Sequence, residues 1–161
     1  DIEASKPLYV NVLEAFYGIP SQEGFGSAVF YEPVADDMTL EQMALDKYKY
    51  FVGDLWERYG ADAWMGPWKE VYSRPLDAHA DIVAELRAIR DADARLSAPM
   101  ILDSIQDTEK AHTALAAAYD NPAVTELRVF NLGDGGAMMG ILVAGRLGAT
   151  GEAIFLLFLL D

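Results

Sequence analysis

Leu8, Val12 and Phe16 recur every four residues along SKPLYVNVLEAFYG, the spacing of one helix face. Ser5 stands where a cap would, and Pro7 suits a first helical turn. The preferred reading is therefore a helix, with a strand over Leu-Tyr-Val-Asn-Val as the alternative. IPSQEGFGS reads as a loop and SAVFYEP as a short strand ended by Pro33.

The next helix is the clearest element. In DDMTLEQMALDKYKYFVGDLWERYG, Thr39 and Gln42 form a capping box, and Met38 can staple to Met43. Ala44, Tyr48, Phe51, Leu55 and Tyr59 make its apolar stripe, with Val52 beside it. Asp54 can pair with Arg58 one turn on, and Gly60 stops the helix. Gly53, in mid-pattern, suggests a close approach by another element.

ADAWMGPWKEVYSRP reads as an aromatic connector. A helix over LDAHADIVAELRAIRDADARL would bury Ile82, Val83, Leu86 and Ile89 and expose an Arg87–Asp91–Arg95 ladder. Pro99 restarts the chain into another helix, with Ile101, Ile105, Thr108, His112, Leu115 and Tyr119 along one stripe and Asp120, Asn121 and Pro122 at its end. VTELRVFNL, AMMGILVAGR and EAIFLLFLLD then form an antiparallel meander joined by glycine-rich turns.

The expected fold is a single α+β domain over residues 1–161, with a mainly antiparallel sheet and three to four helices. Ala153 to Leu160 is apolar without alternation, so that strand needs cover on both faces. One helical layer covers one face; the pattern therefore predicts a homodimer.

Charge narrows the functional classes. The chain carries 26 acidic and 12 basic residues, a net charge of −14, with 52% hydrophobic residues and no cysteine. Disulfides and thiolate metal sites are excluded, and so acidic a surface repels nucleic-acid phosphates. No apolar run reaches the roughly 18 residues of a membrane span. The start, DIEASKPLYV, lacks the pattern of a signal peptide, which points to the cytoplasm unless a leader has been removed. The acidity itself can serve solubility, docking of a basic partner protein, or steering of a cationic small molecule.

The candidate chemistry is sparse. Gly133, Gly135 and Gly136 in NLGDGGAMMG resemble a phosphate loop, but they join two strands and no Lys-Ser or Lys-Thr follows. They read as a turn. Glu109 and His112 give Glu-x-x-His, half of a carboxylate-bridged di-metal signature; His79, with Leu76 before it, does not supply the rest. No metal or other cofactor is expected. His112, on the apolar stripe, and His79, one turn before Ile82 and Val83, read first as structural histidines; His112, Glu109 and His79 are the candidates for the alternative of acid–base catalysis, if an antiparallel hairpin brings both histidines to one cleft. Asp36 and Asp37 read as charge favourable to a helix start, Asp103 and Asp107 form a second pair, and neither Ser21 nor Ser73 lies in a nucleophile elbow.

Trp56, Tyr59, Trp64, Trp68 and Tyr72 concentrate where helical periodicity lapses. They can plug the core, anchor a partner protein or line a small-molecule pocket, with Arg58, Lys69 and Arg74 as the local cations. The preferred functional reading is a non-catalytic binding or regulatory protein docking a basic partner, as an immunity protein or inhibitor does, with Trp56, Trp64, Trp68, Tyr72 and Arg74 at its contact. The alternatives are a small acid–base enzyme and a small-ligand binder.

Overall fold

The computed structural model describes residues 6–22, 24–34, 37–103, 106–134, 138–148 and 151–160. In chain order the elements are α1 (Leu8–Tyr17), β1 (Gly26–Pro33), α2 (Leu40–Val52), α3 (Leu55–Tyr59), α4 (Ala61–Met65), β2 (Lys69–Ser73), α5 (Ile82–Arg87), α6 (Ala94–Asp103), α7 (Thr108–Tyr119), β3 (Val124–Asn131), β4 (Met139–Leu147) and β5 (Glu152–Leu160). The fold is α+β, with a five-stranded antiparallel sheet in the order β1-β5-β4-β3-β2.

The meander is as expected, and its apolar strands are explained by two cores. Ile154 and Leu156 face a layer built from α1, α5, α6 and α7. Ala153, Phe155, Leu157 and Leu159 face α2 and Trp64 of α4. In register, Val29, Leu156, Val143, Val129 and Tyr72 form one row across all five strands. Both faces of β5 are thus covered within one chain, which removes the premise for predicting a dimer.

The helices are shorter and more numerous than their periodicity implies, and each break has a local cause. The Thr39–Gln42 capping box starts α2 as expected, but Gly53, at φ +58°, closes that helix and its N–H bonds Lys49 O. Tyr59 consequently leaves the buried stripe and is exposed. The helix expected from Leu76 to Leu96 is reduced to α5. Asp81 caps its start, and Asp91 turns inward to accept from the N–H groups of Asp93 and Ala94, beginning α6. The Arg87–Asp91–Arg95 ladder does not form: Arg87 pairs with Asp103 and Asp91 with Lys69. Pro99 lies inside α6 instead of restarting the chain. The helix expected to follow it is divided, α6 ending at Asp103 and α7 starting after Asp107, which has φ +66°. The connector contains β2 at a sheet edge, where Lys69, Glu70 and a bulge discourage further strand pairing.

Ser5, Asp36, Ile105, Gly135 and Gly136, which the sequence singled out, lie outside the described residues.

Candidate functional site

Helix α1 is apolar on two sides. Val10, Leu13 and Tyr17 enter the core, and the Tyr17 hydroxyl donates to Ile101 O at 2.8 Å. The stripe selected from sequence, Leu8–Val12–Phe16, is the other one: Leu8 is 75% and Val12 40% exposed. With Tyr9 and with Ala114 and Ala117 of α7 it lines an apolar groove of about 460 Å³, bordered by Lys110 and Thr113. The two alanines are what open the groove, because larger side chains there would fill it. Residues 8 to 16 span about 12 Å of helix, enough for two turns of a partner helix.

On the opposite face of the sheet, Trp64 of the connector is interior and Trp68 packs against the same core. Trp64 is 1% exposed, and its indole N–H donates to Leu55 O at 3.0 Å. It stacks on Trp56 (ring centres 6.1 Å apart, 9° between planes) and meets Tyr48 edge-on at 6.0 Å. Trp68 stacks between Tyr48 and Phe130 and donates its indole N–H to Glu41 at 2.9 Å. Trp56 and Trp68 are half-buried, so the cluster presents rims and not a protruding anchor. At one margin Phe25, Tyr59, Ala63, Trp64 and Met138 enclose a concavity of about 320 Å³. Met138 follows the glycine-rich turn, so two features distant in sequence meet there. Gly133 serves the turn by close packing: a Cβ on it would stand 2.6 Å from Met139 Cα.

Tyr72 and Arg74 do not join the aromatic cluster. Arg74, nearly buried, grips Glu85 with Nε and Nη2 at 2.8 and 2.6 Å, and also donates to Tyr119 O and Asp120 Oδ1. The Tyr72 hydroxyl donates to Glu85 at 2.5 Å. Asp120 in turn accepts from the N–H of Ile82, the first residue of α5. This network fastens the β2 edge to α5 and to the end of α7. Burial would raise the Glu85 carboxyl, but hydrogen bonds from Arg74 and Tyr72 outweigh it and hold Glu85 below its ordinary value. Burial, with Glu85 and Asp81 adding to it, pushes Asp120 up despite Ile82 N–H and Arg74. Burial, then Glu85, pushes the Tyr72 phenol up to about 12. A cleft of about 390 Å³ opens beside Arg74 and Asp120, walled by Pro75, Leu76 and Pro122.

The histidines stand apart from these sites. His112 donates through Nε2 to Leu102 O at 2.8 Å, tying α7 to the last turn of α6. Glu109 is exposed, and among the described residues no hydrogen bond joins its carboxylate to His112. His79 is exposed in the turn between β2 and α5. Neither histidine lines the groove, the concavity or the cleft. Asp103 is drawn into the pair with Arg87, whose hydrogen bonds lower its carboxyl; Asp107 pairs with Lys110. Among the described residues no group of three His, Asp or Glu side chains could hold a metal ion, and no helix is long and apolar enough to cross a membrane.

The chain matches no protein-family model, no curated protein and no solved structure.

Sequence reasoning missed the groove because it read Leu8, Val12 and Phe16 only as one face of a helix, without deciding what covers that face. The available signal was an excess: α1 has apolar residues on two stripes, more than one buried face requires. Glu85 and Asp120, which complete the Arg74 network, carried no local signal, since they lie 11 and 46 residues from Arg74.

Proposed function

We propose that this protein is a non-catalytic binding module that seats an amphipathic helix of a basic partner protein between α1 and α7. The observation carrying this reading is the exposure of Leu8 and Val12, with half-buried Phe16 one turn on, along a groove on a helix whose other side is already packed. Exposed contiguous apolar surface is uncommon unless something covers it, and a groove between two helices suits helix-in-groove recognition. The net charge of −14 favours a basic occupant and opposes a second copy of the chain. The interior position of Trp64 moves the proposed contact away from the aromatic connector. Acid–base catalysis by His112, Glu109 or His79 gains no support from their separate placements.

The test uses an 18-residue helical peptide with leucines at four-residue spacing and lysines elsewhere, beside a scrambled peptide of the same composition. The helical peptide should bind by fluorescence anisotropy and associate more slowly at 300 than at 50 mM salt. Val12→Glu should abolish binding without altering circular dichroism. Equal binding of the scrambled peptide would reduce the attraction to charge alone and defeat the reading. Sedimentation equilibrium showing a dimer that Val12→Glu converts to monomer would assign the groove to a second copy instead.

A further inference from the structure

Over residues 87–95, RAIRDADAR, basic and acidic side chains are interspersed in sequence but take different partners in the fold. Asp91 turns inward: one carboxylate oxygen accepts from the N–H groups of Asp93 and Ala94 at 3.2 and 3.0 Å, and the other meets Lys69 Nζ at 2.7 Å. Asp93 reaches the same lysine at 3.7 Å. The three arginines gather elsewhere. Arg87, Arg90 and Arg95 line one shallow concavity of about 640 Å³ with Ala88, Ile89 and Leu96, and no carboxylate is among the described residues around it. Arg87 is paired with Asp103, whose oxygens lie 3.2 and 3.0 Å from its Nη1 and Nη2. Arg90 and Arg95 have no ion pair and no side-chain hydrogen bond among the described residues. The backbone between them is held in place, because Ile89 is only 7% exposed and Asp91 caps the start of α6.

We infer that this concavity binds a phosphate monoester. The chain has 26 acidic and only 12 basic residues, yet three of the basic ones converge here and two of those are uncompensated. A local positive potential therefore stands on a negative molecule. Arginine stays charged at any working pH, and its planar fork matches phosphate oxygens in pairs. A monoester carries a charge of about −1.5 to −2 at neutral pH, which suits two free guanidinium groups; a carboxylate or a sulfate ester neutralises only one. A long polyanion would extend beyond the screening length of about 8 Å and meet the carboxylates of an otherwise acidic chain. Leu96, 46% exposed, offers apolar surface to the organic part of the monoester. The inference shares no residue with the α1/α7 groove, so neither reading depends on the other.

Phenyl phosphate and phenyl sulfate are close in size but differ in charge at neutral pH, so together they separate recognition of a dianion from general attraction. Isothermal titration calorimetry should show phenyl phosphate binding at least fivefold more tightly than phenyl sulfate. Arg90→Gln and Arg95→Gln should each weaken phenyl phosphate binding at least fivefold with circular dichroism unchanged, since neither side chain has a partner in the fold to lose. Asp103→Asn should strengthen binding several-fold by freeing Arg87. Glu57→Gln, an equal change of charge at an exposed position on the opposite face of the sheet, should leave it within twofold. A phosphotyrosine peptide identifies the source: tighter binding than phenyl phosphate places the monoester on a partner protein, and equal or weaker binding places it on a free small molecule. The assignment is overturned by no binding of either phosphate probe, by equal affinity for phenyl phosphate and phenyl sulfate, or by indifference to both arginine substitutions. Tighter binding of a single-stranded oligonucleotide than of either phosphate probe would overturn it as well.

Discussion

The ring of Tyr119 lies against Gly145: a Cβ built on that glycine would stand 2.9 Å from Cδ1 and 3.0 Å from Cε1 of the ring. The ring cannot yield easily. It is fully buried, and its hydroxyl donates to Val143 O at 3.2 Å and is within 3.4 Å of Ile154 O. The glycine in β4 therefore exists to admit a tyrosine from α7 to the sheet. Gly145→Ala should destabilise the fold by about 1–3 kcal/mol, as overpacking does. Urea denaturation checks this; an unchanged midpoint would mean that the ring has room to move.

Arg74 holds Glu85 and Asp120 together, and removing it should be costly. Arg74→Met leaves two carboxylates facing each other in a largely enclosed site, which should cost about 3–5 kcal/mol at neutral pH. The variant can relieve the repulsion by taking up protons, so its deficit relative to wild type should shrink as the pH falls toward 4. In the wild type the two carboxyls are shifted in opposite directions, Glu85 down and Asp120 up. Glu85, held low, contributes stability that is present above its unfolded value near 4.5 and is lost as pH falls through its folded value. Asp120, pushed up, is a destabilising contribution when ionised, and is relieved as pH falls through its raised folded value. Asp120→Asn should therefore steepen the acid limb of the stability curve, because it removes the opposing contribution. Unfolding free energies at pH 7, 5, 4 and 3 decide the matter; a deficit for Arg74→Met that is independent of pH would contradict it.

Two aromatic residues five positions apart should behave differently. Trp64→Ala opens a cavity beneath α4 and strands Leu55 O, and should cost about 3–5 kcal/mol. Tyr59→Ala removes a mostly exposed ring and should stay within about 0.5 kcal/mol. Thermal and urea denaturation of both variants check the contrast. Similar losses would show that the outer ring is as much a part of the core as the inner one.

Some of these relations were legible in the sequence because their causes are local. The Thr39–Gln42 box depends on residues three apart, and the meander on turn glycines and strand-forming runs, so pattern reading recovered both. The breaks at Gly53 and Asp91 were harder. Apolar spacing continues through each, while the outcome depends on a positive φ in one case and on a side chain turned back to cap the next helix in the other.

By itself, the sequence determined the α+β class, the three-strand meander, the start of α2, the strongly negative charge and the absence of thiol chemistry, since each follows from composition or from interactions a few residues long. Only the tertiary structure decided which stripe of α1 is buried. Leu8–Val12–Phe16 and Val10–Leu13–Tyr17 are both apolar, and the choice between them rests on where β1, α6 and α7 stand. The same holds for the covering of β5 on both faces, the enclosure of Trp64 and the meeting of Arg74, Glu85 and Asp120. Burial and charge pairing are properties of neighbours in space, and these neighbours come from distant parts of the chain.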